Sequence, residues 1–83
     1  MPEQSIFDFV KELVAETGLP FLISENGDTL EARFPDERVP IELFGIRVEG
    51  NSVWIDDEET PEANRDKIKA LFSLQILAVL SKL

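Results

Sequence analysis

The stretch 20-PFLISENGDTLEARF-34 decides how this chain is read. It sets two extended runs around Asn26-Gly27, residues that tolerate the positive φ of a tight hairpin turn. A two-residue loop there places Glu25 opposite Asp28, Ile23 opposite Leu30 and Phe21 opposite Ala32. Phe21, Ile23, Leu30, Ala32 and Phe34 then share one face, while Leu22, Glu31 and Arg33 take the other. An apolar face backed by a more polar one predicts an antiparallel sheet covered on one side.

Toward the C-terminus, 35-PDERVP-40 is a loop bounded by two prolines, and 41-IELFGIRVEGNSVWID-56 predicts a second hairpin around Gly50-Asn51. Its register sets Val48 against Val53 and Ile46 against Ile55, with Arg47 opposite Trp54 on the reverse face, in reach of a guanidinium–indole contact. Alternation breaks at Leu43-Phe44-Gly45, where Ile41 and Leu43 fall out of phase with Ile46 and Val48. Glycine inside a strand pattern predicts a β-bulge that restores the phase. Without a bulge, Ile41 and Leu43 would join Leu22 and Trp54 in an apolar patch on the outer face.

A helix is predicted at each end. Ser5 with Asp8 three residues on resembles a capping box, Ile6, Phe7, Phe9, Val10, Leu13 and Val14 fall on one helical face, and Gly18 and Pro20 stop the run. At the other end Thr60 is the expected N-cap and Pro61 the first helical residue of a helix running to the terminus, with nearby acids complementing the dipole. The expected fold is α+β, a single domain over 1–83: a four-stranded antiparallel meander with N- and C-terminal helices packed on one face, in the order α-β-β-β-β-α. In order of elements, acidity and size the chain is similar to the small acidic chaperones of bacterial secretion systems, a resemblance that implies helices on a twisted sheet and a dimer.

Eighty-three residues make a domain that buries only about 60 to 65% of its unfolded surface. With no Cys and no His, neither disulfides nor thiolate or imidazole metal sites can reinforce it, which leaves oligomerisation. Seventeen acidic against eight basic residues, net −9, repel nucleic acid and anionic membranes. The N-terminal segment lacks the basic-then-apolar order of a secretory leader, so a cytoplasmic protein is expected. Without His, Cys or Tyr, and with every glycine assigned to a turn, a helix stop or the bulge, catalysis is not expected and no cofactor is implied.

Three sets of residues remain as candidate sites. Asp56, Asp57, Glu58 and Glu59 offer carboxylate oxygens to a divalent cation, although contiguous acids do not match an EF-hand, and the simpler reading is a solvated loop preceding a helix. Leu22, Arg33, Arg47 and Trp54 converge on the outer face of the sheet, either as a binding surface or as cross-strand pairs that keep that face soluble. In the last helix Ile68, Leu71, Phe72, Ile76, Val79, Leu80 and Leu83 suit a core face, while Ala70, Leu74, Leu77 and Ser81 form a second stripe opposite it. That stripe predicts an interface, most simply of a homodimer. A cation-binding protein is the alternative, and an acidic chaperone or adaptor for a basic protein partner is a further one.

Overall fold

The computed structural model describes residues 5–83; the expected absence of a leader rests partly on residues 1–4, outside that range. A helix, α1 (Ile6–Glu16), leads into five strands: β1 (Leu22–Asn26), β2 (Thr29–Arg33), β3 (Ile46–Glu49), β4 (Ser52–Ile55) and β5 (Glu58–Pro61). A short 3₁₀ turn (Ile41–Leu43) precedes β3, and α2 (Arg65–Lys82) closes the chain. The strands form one antiparallel meander in sequence order, with five members rather than four. Both helices pack on one face, where Val10, Leu13 and Val14 of α1 and Ile68, Phe72 and Val79 of α2 join Leu30, Ala32, Ile46, Val48, Val53 and Ile55 in a single core.

The start of α1 is as expected: the Ser5 hydroxyl accepts the Asp8 N–H at 3.1 Å, and Gly18, at φ +69°, ends the helix. The first hairpin differs in its turn. Its register pairs Asn26 with Thr29, Glu25 with Leu30 and Ile23 with Ala32, so the loop is Gly27-Asp28 and Asn26 belongs to β1. Glycine first in a two-residue loop, at φ +62°, meets the requirement of a type II′ turn. The pairing slides by two residues, an even number, so every side chain keeps its predicted face. The second hairpin has the predicted register, Val48 with Val53, Ile46 with Ile55 and Arg47 with Trp54.

Two expectations are corrected. No bulge forms at Gly45: the 3₁₀ turn, with the Leu43 and Phe44 N–H groups donating to Pro40 and Ile41 carbonyls at 2.9 and 3.1 Å, takes Ile41 out to solvent and carries Phe44 into the core. Thr60 and Pro61 do not start the last helix. Asp56-Asp57 turns the chain with φ of +52° and +62°, the pattern of a type I′ turn, and β5 follows, with Val53 opposite Thr60 and Ser52 opposite Pro61. Proline is tolerated there because β5 is an edge. The helix begins four residues later than expected, at Arg65, and spans about 27 Å.

The loop from Pro35 to Pro40 is held locally. The Asp36 carboxylate accepts the Arg38 backbone N–H at 2.9 Å and its guanidinium at 3.0 and 2.6 Å, and these bonds lower its pKa from 3.8 to about 2. A depressed carboxyl contributes stability above its ordinary pKa that disappears as pH falls through the folded value. The Asp36 carboxyl resonance should therefore titrate with a midpoint near 2, and Arg38→Ala should return it toward 3.8.

Candidate functional site

The outer face of the sheet carries Leu22, Arg33, Arg47 and Trp54, as the register requires. Arg33, Arg47 and Trp54 line one open cleft of about 270 Å³ together with Glu31, Ile41 and Asp56; exposed Leu22 lies across from Arg33 but does not line it. The Arg47 guanidinium sits 5.0 Å from the Trp54 ring centroid, a cation–π contact. Its Nε lies 3.2 Å from a Glu49 carboxylate oxygen, off the line of a hydrogen bond, and Arg33 reaches Glu31 at 3.4 Å. Each arginine thus already has an acidic neighbour on its own strand, and the arrangement stabilises a solvated face.

The four contiguous acids do not converge. Asp56 and Asp57 form the turn, while Glu58 and Glu59 continue into β5 on opposite faces of the sheet. Glu58 pairs with Lys67 of α2 at 3.3 Å, and Glu59 accepts the Ser52 hydroxyl at 2.8 Å. Among the described residues no group of three or more carboxylates comes together as a cation would require. Alternation through the strand separates what contiguity in sequence suggested.

The expected interface residues in α2 do share an open face. Leu74 and Leu77 are 63% and 64% exposed, and Ala70 and Ser81 flank them, also exposed. Two further leucines, Leu80 at 49% and Leu83 at 45%, are uncovered where a core position was expected. The helix crosses β4, β5 and the 3₁₀ turn, and cover runs out after buried Val79, so the last turn extends past its own core. At 100° per residue Leu74, Leu77 and Leu80 fall within about 120° of arc. The polar atoms nearby turn inward: Ser73 and Ser81 donate their hydroxyls to the Lys69 and Ala78 carbonyls at 2.9 and 2.7 Å. Leu77 also edges a shallow groove of about 350 Å³ against the C-terminal end of α1, with Leu13, Phe72 and Ile76 in its lining.

In charge α2 as a whole differs from the rest of the chain. α2 holds four basic residues, Arg65, Lys67, Lys69 and Lys82, against one acid, Asp66, so it is locally +3 in a chain of −9. No helix among the described residues is long and apolar enough to cross a membrane. Compared with protein-family models, curated proteins and solved structures, the chain matches none.

Proposed function

We propose that this chain is a non-catalytic protein-interaction module that pairs with a second copy of itself through α2. The observation that carries the reading is the exposed row Leu74, Leu77 and Leu80, which is complementary to itself. An antiparallel twofold axis at Leu77 sets that residue against its own copy, Leu74 against Leu80, and Ser73 against Ser81, whose small side chains allow close approach. Electrostatics opposes this pairing, since each copy carries net −9 and each α2 is +3, so apolar burial has to drive it. Fully burying a leucine contributes roughly 1.5 to 3 kcal/mol, so completing the burial of three half-exposed leucines per copy yields on the order of 6 kcal/mol before association costs.

With the remaining contacts of the helix pair offsetting the association costs, that magnitude describes a modest dimer. Light scattering should show a mass rising from 9.4 kDa toward twice that value as concentration increases through about 10 to 1000 µM. Added salt should strengthen pairing by screening the net charge. Leu74→Lys with Leu77→Lys should hold the protein at 9.4 kDa without lowering its melting temperature as a monomer, since neither side chain belongs to the core. A wild-type mass of one chain at every concentration would refute the homodimer.

A further inference from the structure

The two edges of the sheet are unlike, and the difference points to a second docking surface. In an antiparallel ladder alternate residues direct both backbone groups at the neighbouring strand. Two-residue loops make Asn26–Thr29 and Ile55–Glu58 bonded pairs, so β5 turns its free groups outward at Glu59 and Pro61, and β1 does so at Ile23 and Glu25. Edge β5 is blocked at Pro61, which has no N–H to offer an added strand. Edge β1 has no such guard. All five of its residues are exposed, its outward positions each keep a donor and an acceptor, and Leu22 and Ile23 leave apolar surface on both faces, 61% and 43% exposed.

We infer that β1 accepts an extended segment of another protein as a sixth strand, one carrying a basic residue opposite Glu25 and an apolar residue opposite Ile23. A second copy does not fit this edge. Among twofold registers that use the outward groups, one sets Ile23 against the Glu25 carboxylate and another sets Glu25 against itself. The third needs the N–H of Phe21, already donated to the Leu19 carbonyl at 2.9 Å. A basic segment does fit: Glu25 gives Oε1 to Lys11 of α1 at 2.7 Å but its side chain stays 49% exposed, which leaves room for a second cation, and the chain's net −9 attracts such a segment. In the antiparallel sense the recognised pattern is basic-x-apolar, with main-chain bonds supplying affinity and the two side chains specificity.

The inference does not depend on pairing through α2. Its probe is the blocked hexapeptide Thr-Arg-Thr-Val-Thr-Val, titrated to millimolar concentration against the ¹⁵N-labelled chain. The Ile23 and Glu25 amide signals should shift and their hydrogen exchange should slow, while Ser24, already bonded to β2, keeps its protection. Ile23→Pro, which removes an outward donor and leaves the bonds to β2 intact, should abolish the response. Glu25→Lys should transfer the response to the peptide with Glu in place of Arg. The inference is overturned if no β1 amide responds, if the largest shifts fall on α2, or if a peptide of the same composition with Arg adjacent to Val works equally well.

Discussion

Phe44→Ala should remove much of the stability of this fold, about 3 to 5 kcal/mol, while Ile41→Ala, three residues earlier, should change it by less than about 0.5 kcal/mol. Phe44 is 1% exposed and joins two aromatic contacts: it stacks on Phe21 with centroids 4.7 Å apart and meets Phe72 of α2 edge-on at 6.1 Å, and Phe21 in turn packs edge-on against Phe34 at 5.3 Å. The truncation therefore leaves a cavity where the 3₁₀ turn, the start of β1 and the last helix meet. A chain of this length has on the order of 4 to 12 kcal/mol to lose, so the variant should melt some 15 to 30 °C lower or fail to fold. Ile41, 68% exposed, has almost nothing to lose. A bulged strand would put Ile41 and Leu43 inside, and Ile41→Ala would then cost as much as a core truncation. Thermal denaturation of the two variants separates these arrangements.

The same residues show what periodicity can convey. Alternation over Leu30–Phe34, Ile46–Val48 and Val53–Ile55 is strict because these strands are central and one face is fully buried, and there the predicted faces hold. The register of the second hairpin followed from Gly50-Asn51, but Asn26-Gly27 misplaced the first turn because Gly27 also suits the first position of a type II′ loop. The break at Leu43-Phe44-Gly45 was visible, yet a one-residue bulge and a 3₁₀ turn both reset a two-residue period. In α2 the angular pattern identified Leu74 and Leu77 but not Leu80, since angle specifies a side of the helix and says nothing of where the core beneath it ends. Strand β5 was hidden by its composition: Glu-Glu-Thr-Pro has weak strand propensity and matches the start of a helix at every position.

Substitution of Thr60 discriminates between those two readings with opposite signs. As a helix N-cap, Thr60→Asp would be neutral or better, because Asp caps at least as well as Thr. In the structure Thr60 is a β5 residue with no exposed surface, facing the core opposite Val53, and its hydroxyl has no hydrogen-bond partner. Thr60→Asp then buries a carboxylate beside apolar neighbours and should cost on the order of 3 kcal/mol or more near neutral pH. Burial raises the pKa of the introduced carboxyl, so the folded state takes up its proton more readily and the deficit should shrink as pH is lowered from 7 to 4. Thr60→Val should move the other way. It keeps the branched shape, favours the strand and removes an unbonded buried hydroxyl, a gain of about 1 kcal/mol. An N-cap would instead lose about 1 kcal/mol on the same change. Urea denaturation of wild type, Thr60→Val and Thr60→Asp should give midpoints falling in the order Val, Thr, Asp; the reverse order would restore the helix to residue 61 and remove the fifth strand.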